Sequence, residues 1–390
     1  MLELTDLQKE IVSQVREFVD REVIPVADDM EHEDEFPDKI VEQMKEMGLF
    51  GLTVPEEFGG IGESIVTYAL SVVELARGWM SLSGILNTHF MGCYLINKFG
   101  TQEQRARFLP RMATGEIRAA LAMSEPEAGS DVQSIRTKAV REGDQYVVNG
   151  QKMWLTNGLR SSIVMTLVKT DPDADPPHKG MSMLIVEKEG GNPKPAPGLD
   201  VGKNIEKMGY KGVETTEMSF SDFRVRADNL LGGSEGAGFR QVLDGIEIGR
   251  VNVAARAVGL ATRAFEEAIK YSQERKAFGK PIAQHQAVQM HLAEMGTELE
   301  AARLMMLNAA RKKAAGERSD LEAGMAKYFA SEACHDICLK ALRIHGGYGY
   351  SKEFTVERLY RDAPFLLIGE GTSEIQKTVI ARRLLEQHKV

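Results

Sequence analysis

Apolar residues along this chain recur with a period that changes twice. In the first stretch they fall three and four apart. Leu7, Ile11, Val15, Phe18 and Val19 form one stripe, opened by a capping box at Thr5 and Gln8, which predicts a helix running until Pro25. A second helix is predicted over 38–47, stopped by Gly48. The run Val54-Pro55-Glu56-Glu57-Phe58-Gly59-Gly60 is turn chemistry, and further helices are expected at 65–76, 82–99 and 102–112, the last capped by Thr101 and Gln104. No strand is required before about residue 117.

From Arg118 the spacing drops to two. Segments 134–141, 144–149, 162–169, 181–188 and 214–223 are short, β-branched or alternating, and predict a small β domain. Its polar, Pro-rich connectors at 171–178 and 190–198 belong on the surface. Past the Gly-rich stretch 228–238 the helical period returns: Val251, Ala254, Val258, Ala261, Phe265, Ala268 and Ile269 mark one apolar face. Long helices are expected to follow over 284–315, 320–344 and 373–387, and four long helices with short joins predict a roughly antiparallel bundle. The order is therefore α, then β, then α, with no internal repeat.

Composition narrows the function. A chain of 390 residues with 43% hydrophobic content can bury a substantial core, and a net charge of −9 disfavours nucleic acid or an anionic membrane as partner. Arg311-Lys312-Lys313 is too short a basic run to change that and reads as a solvated helix face. The start Met1-Leu2-Glu3-Leu4-Thr5-Asp6 shows no export or organelle signal, and three cysteines suit a reducing compartment, so a cytoplasmic location without membrane insertion is expected. Cys334 and Cys338 flank His335, but a spacing of four among Ala333 and Ile337 predicts buried thiols; no metal site is expected.

One carboxylate stands apart. Glu370, in Gly369-Glu370-Gly371-Thr372-Ser373, follows the apolar run Phe365-Leu366-Leu367-Ile368, and Ser373 with Gln376 reads as a capping box opening the last helix. Desolvation against the apolar run would raise its pKa and the helix dipole would lower it, which suits a base poised near neutrality. The same placement also suits a first-turn acidic residue with no chemistry.

Four further blocks are distinctive. They are Met123-Ser124-Glu125-Pro126-Glu127-Ala128-Gly129-Ser130-Asp131, Gly150-Gln151-Lys152-Met153-Trp154-Leu155-Thr156-Asn157-Gly158, Glu274-Arg275-Lys276-Ala277-Phe278-Gly279-Lys280, and Ile344-His345-Gly346-Gly347-Tyr348-Gly349-Tyr350, which runs on through Val356-Glu357-Arg358 to Arg361-Asp362. The first is an ordinary turn or a set of donors for the polar edge of a planar ring. In the second, Trp154 and Thr156 lie two apart and share a strand face, either as a core Trp beside a surface Thr or as a platform with a hydroxyl. The glycines at 346, 347 and 349 lack the preceding strand of a dinucleotide-binding βαβ unit, which argues against a nicotinamide site. Glu247 and Arg250, near the head of the bundle's first helix, form a surface charge pair unless a ligand meets them.

With these blocks in this order and Glu370-Gly371-Thr372 after them, the chain resembles the acyl-CoA dehydrogenase family from end to end. The resemblance implies an α+β fold, mostly α, with an N-terminal helical domain (1–117), a small β-barrel domain (118–230) and a C-terminal four-helix bundle (231–390). It implies FAD as cofactor. Leu121, Met123, Ser124 and Ser130 would line the flavin, Ser130 also reaching the acyl-CoA; Trp154 would pack beside the ring and Thr156 bond near its hydride-accepting nitrogen. Arg275 and the 346–349 loop, often from a neighbouring subunit, would hold the pyrophosphate and adenosine, with Phe278, Gln286, Gly347, Thr372 and Glu374 as further contacts. Glu247, Arg250 and Gly371 would lie near the thioester, and Glu370 would remove its α-proton as the β-hydrogen leaves as hydride, giving the trans-2-enoyl-CoA. An electron-transferring flavoprotein would take the electrons, and the assembly would be a homotetramer.

Departures from the family pattern sharpen these expectations. Gly369 replaces a usual aromatic residue just before the base, which predicts a pocket widened for a branched or ring-bearing acyl group. Gly249 occupies the place where a subset of the family carries its base and cannot serve as one. Arg343 stands for a frequent Gln and is kept as a pyrophosphate contact, and Leu121 for a frequent aromatic. Rival readings are an acyl-CoA oxidase, other flavin chemistry on this fold, and a non-catalytic helical scaffold.

Overall fold

The capping box at Thr5 forms as expected, with the Thr5 hydroxyl accepting from the Gln8 N–H and the Gln8 side chain accepting from the Thr5 N–H, both at 3.2 Å. In this computed structural model, which describes residues 4–389, it opens α1 (Asp6–Phe18). Residues 1–3, where the reading for an export signal began, lie outside the described residues. The helix does not end at Pro25: one π-helical turn (Val19–Val23) leads into α2 (Ile24–His32), where Pro25 occupies the first turn. α3 (Asp38–Glu46), α4 (Ile65–Gly78), α5 (Met80–Phe99) and α6 (Gln102–Ala113) complete the first region. In α4 every residue except Leu70 is buried, so that helix runs through the interior.

A seven-stranded sheet follows: β1 (Ala119–Ala122), β2 (Lys138–Glu142), β3 (Gln145–Thr156), β4 (Ile163–Lys169), β5 (Met181–Glu187), β6 (Leu199–Val201) and β7 (Thr215–Arg226), in the order β1-β4-β2-β3-β7-β6 with β5 on β4. β2 begins later than the sequence pattern suggested, because Val132–Ser134 forms a short 3₁₀ turn. β1 and β6 were not anticipated: four small apolar residues and a three-residue segment carry no readable period. The alternation in β4 and β5 is real. Met165, Leu167, Met183 and Ile185 pack toward α5 and α6, while Val164, Val168, Leu184 and Val186 face a separate core on the other side of the sheet.

The last region holds α7 (Gly238–Glu274), a small hairpin of β8 (Lys276–Ala277) and β9 (Lys280–Pro281), α8 (Gln286–Ala314), α9 (Asp320–His345), α10 (Val356–Ile368) and α11 (Ser373–Gln387). α9 packs against α7, α8, α10 and α11. α10 was not anticipated, since Pro364 lies inside it and only its last turn reads as an apolar run. α4 packs on α7, so the first and last regions share one core, in which Cys334 and Cys338 are buried thiols. Among the described residues no helix is long and apolar enough to cross a membrane.

Candidate active site

Glu370 lies in the four-residue link, 369–372, between α10 and α11. Gly369 is extended, Glu370 adopts the left-handed conformation (φ 55°), and Gly371 follows at φ 90°. A non-glycine residue there costs about 1 kcal/mol, which the surroundings must offset. The helix cap is Thr372, not Ser373: its hydroxyl accepts from the Ile375 N–H at 3.3 Å. Gln376 is thereby freed from a capping box and turns back, donating from Nε2 to the carbonyls of Gly371 (3.0 Å) and Glu370 (3.4 Å). These bonds hold the link in its bent shape.

The bend turns the carboxylate inward. Oε1 accepts from Asn87 Nδ2 on α5 at 2.5 Å, while Oε2 is buried without a partner. A Cβ built on Gly249 of α7 would lie 1.7 Å from Oε2, so the carboxylate occupies space that any side chain at 249 would fill. Burial raises the Glu370 pKa above the ordinary carboxylate value; Arg256, the Asn87 bond, Lys327 and Arg250 pull the other way without reversing it. Arg250 is itself buried, with its Nε unpaired. Glu247 is tied off, accepting from Ser319 Oγ at 2.6 Å and Lys313 Nζ at 3.1 Å.

The space expected to open beside Gly369 is filled. A Cβ there would meet Cζ of Phe365 at 2.8 Å, and that ring stacks on Tyr210 with centroids 4.4 Å apart. The missing aromatic at 369 is thus answered by one from the preceding helical turn, four residues earlier. The expected widening is corrected accordingly.

Beside Glu370 lies the rim of the sheet. Trp154, at φ 65° in a bulge of β3, is 58% exposed; Leu155 is buried and Thr156 half-buried, so Trp154 and Thr156 do share the outer face. The Met153 N–H donates to the Ser124 carbonyl at 2.9 Å, joining the segment after β1 to this rim. Lys152 is buried beneath and donates to Glu125 (2.8 Å) and to the Met123 carbonyl (3.1 Å). Leu121 and Met123 are half-buried against the core, and Ser130 is exposed in the loop beyond. Asn157 Nδ2 donates to the Ile85 carbonyl (3.0 Å) and Thr88 Oγ1 (2.6 Å), docking the rim on α5 beside Asn87.

A second group gathers elsewhere. Arg275 caps the far end of α7 and, with Tyr271, Ile344, Gly346, Gly347 and Tyr348, lines a cleft of about 660 Å³. Phe278 projects from the tip of the β8–β9 hairpin, 96% exposed, and Gln286 opens α8. Arg343 is exposed and is not among the cleft's lining residues. Thr372, the cap of α11, and Glu374, exposed in its first turn, do not join this second group but lie beside Glu370. From Gly249 to Arg275 the helix rises roughly 39 Å at 1.5 Å per residue. Within one chain Glu370 and the Arg275 cleft are therefore separated by most of the length of α7.

The surfaces fit a dinucleotide carrying a planar ring. A Trp face left 58% exposed and held in a strained bulge suits a ring stacked on it, and nothing lies within 4 Å of where side chains at Gly129, Gly346 or Gly347 would be. Asn87, Tyr210, Arg256 and Lys327 were not singled out in the sequence. For Arg256 the signal is a lone guanidinium within the small, apolar stretch Val251 to Ala261. Asn87 carries no comparable signal.

Comparison with known proteins agrees with this arrangement. Family models described as the N-terminal, middle and C-terminal domains of acyl-CoA dehydrogenase match residues 5–116, 120–223 and 236–385. The chain is 42% identical over 380 residues to (2S)-methylsuccinyl-CoA dehydrogenase of Cereibacter sphaeroides, covering 96% of this chain and 69% of that one. It is 40% identical over 386 residues to acryloyl-CoA reductase (NADH) of Anaerotignum propionicum, covering 98% and 96%. Butyryl-CoA dehydrogenase from Megasphaera elsdenii has the same fold (TM-score 0.94, 33% identity, 99% and 100% covered). So does a chain solved in work on the electron transferring flavoprotein of Acidaminococcus fermentans (TM-score 0.94, 35% identity, 99% of each chain covered). With its three regions matched in order over nearly the whole chain, the chain belongs to the acyl-CoA dehydrogenase family, FAD-dependent oxidoreductases acting on CH–CH bonds.

Proposed function

We propose that the chain dehydrogenates an acyl-CoA thioester between its α and β carbons, giving the trans-2-enoyl-CoA, with Glu370 as general base. The observation that carries this is the Glu370 carboxylate itself: one oxygen fixed by Asn87, the other buried, unpaired and seated over Gly249. An α-proton is too weakly acidic for a carboxylate in water, so the site has to strengthen the base and stabilise the charge that develops. Desolvation does the first, and a free lone pair on Oε2 is where the proton goes. Among the described residues the Glu370 N–H has no acceptor, which leaves it available to the thioester carbonyl. Trp154 and Thr156, with Leu121, Met123, Ser124 and Ser130, would hold FAD, which would supply the hydride acceptor. Ser130, Glu247, Arg250 and Gly371 would meet the CoA thioester, and Thr372 and Glu374 would help hold the cofactor.

A second copy would complete the cofactor site. Arg275, Phe278, Gln286 and Gly347, with Arg343 nearby, stand too far from the chain's own base to serve the same ring, which supports a homotetramer in which neighbours exchange these groups. An electron-transferring flavoprotein is the proposed acceptor, in a cytoplasmic setting, and the chain is divided at 117/118 and 230/231. The relative named as a reductase supports a second direction, because Glu370 would return the same proton in reverse.

The test is Glu370→Gln in the FAD-loaded protein, mixed with straight, branched and cyclic acyl-CoAs and, in reverse, with the enoyl-CoAs. Flavin content should be unchanged, and turnover should fall by ~10² to 10⁴-fold in both directions. A variant that still bleaches the flavin band at the wild-type rate overturns the base.

A further inference from the structure

Arg256 is among the largest fully buried side chains of the molecule, 1% exposed, yet among the described residues no carboxylate approaches its guanidinium within ion-pair distance. A buried, unpaired cation costs several kcal/mol, and folds retain one only where another charge answers it. Its hydrogen-bond partners are neutral: Nε donates to Asn252 Oδ1 at 2.5 Å and Nη1 to Tyr210 Oη at 3.2 Å. Asn252 in turn donates to Tyr68 Oη at 2.7 Å, and Tyr68 stacks on Phe90 with centroids 3.7 Å apart. The guanidinium also lies over the rings of Tyr210 (5.6 Å) and Phe365 (5.8 Å), the pair that packs under Gly369.

Gly249, Asn252 and Arg256 are three and four residues apart, so they share one face of α7. At one end of that face the missing side chain of Gly249 seats the carboxylate; at the other a tethered cation stands. The groups acting on Glu370 come from every element around it: Arg250 and Arg256 from α7, Lys327 from α9, Tyr68 from α4, Tyr210 from the loop before β7, and the amide of Asn87 from α5. Among the cations Arg256 acts most strongly, ahead of Lys327 and Arg250, though the other two also bear on the site.

We propose that Arg256 is a positioning residue for the base: its guanidinium, locked by Asn252 and Tyr210, is the buried counter-charge that keeps the Glu370 carboxylate ionised where it rests beside Gly249. The inference rests on Glu370 being the base. It separates Arg256 from Arg250, whose unpaired Nε suits substrate.

The experiment is the pH dependence of kcat/KM for one acyl-CoA with the FAD-loaded wild type, Arg256→Gln and Arg256→Lys. Without the cation, Glu370 takes up its proton at higher pH. The acid limb of Arg256→Gln should therefore move to higher pH, with a tenfold loss below the limb for each pH unit moved. The alkaline plateau should stay within a few-fold of wild type, and Arg256→Lys should restore the limb. Tyr210→Phe, which removes one tether and keeps the charge, should shift it less in the same direction and serves if the Gln variant does not fold. A folded, FAD-bearing Arg256→Gln with the wild-type limb overturns the proposal, as does a lost plateau with an unmoved limb. If Glu370→Gln remains active, the base assignment fails instead.

Discussion

Two half-buried clusters of charge meet at α10 and are built on opposite principles. Toward its start, Arg361 donates to both oxygens of Glu31 on α2 (2.6 and 2.7 Å) and to both oxygens of Glu357 (2.7 and 3.0 Å), and Glu357 also bonds His32 at 2.6 Å. Burial works against both charges, but the bonds to Glu31 and Glu357 hold the Arg361 guanidinium above its ordinary pKa, and Arg361 and His32 hold Glu357 below its own. Beyond its other end, Glu370 has one amide donor, an unpaired oxygen and cations that only partly answer its burial. The first cluster is saturated and fixes the helix to α2; the second is left short of partners and can take up a proton. What distinguishes them is not burial but satisfaction: a charge with all its bonds made is structure, and one with a bond missing is available for chemistry.

The sharpest way to break that contrast is to remove a partner from the saturated cluster. Glu31→Gln should cost about 3 kcal/mol of stability, read from the urea unfolding midpoint, since it takes the fully buried carboxylate from a half-buried guanidinium that then keeps only Glu357 and the Met208 carbonyl. Turnover per folded, FAD-loaded molecule should change little; a stable variant would mean the network contributes nothing to holding α10. Next in size is Gly249→Ala. The added methyl displaces the carboxylate, the end of a flexible side chain, so kcat/KM should fall about 10²-fold, or ~2.7 kcal/mol in the barrier, for a displacement of about 1 Å. Stability should stay within about 1 kcal/mol because alanine favours a helix over glycine. Unaltered turnover would show that the seat over Gly249 is not the working position of the base.

The smallest effect is on stability in Glu370→Gln. The folded-state pKa of Glu370 lies above the ordinary carboxylate value, so protonation favours the fold. Below the ordinary value both states are protonated, and wild type and variant should be equal. As pH rises through it toward the raised value, wild type should lose stability relative to the variant. Unfolding midpoints at several pH values would show it, and a variant that is less stable at high pH would mean the cations already more than compensate the charge.

Much of this protein is determined locally. The stripe of Leu7 to Val19, the capping boxes at Thr5 and Thr101, and the alternation in β4 and β5 follow from side-chain direction and hydrogen-bond needs within a few residues, so they are legible in the chain itself. So are the motifs around Trp154, Arg275 and Glu370, whose residue types are unusual enough to mark. β1, β6 and α10 were not legible: the first two are too short or too plain to show a period, and Pro364 masks the third. Thr372 rather than Ser373 became the cap because both can serve and only the bend at Glu370 chooses between them. The tertiary structure alone decided that Asn87 from α5 and Gly249 and Arg256 from α7 gather around one carboxylate, and that Phe365 from α10 fills the space beside Gly369. Nothing in the sequence near any of these residues encodes the others, because a buried charge is answered by whatever the packing of distant helices brings within reach.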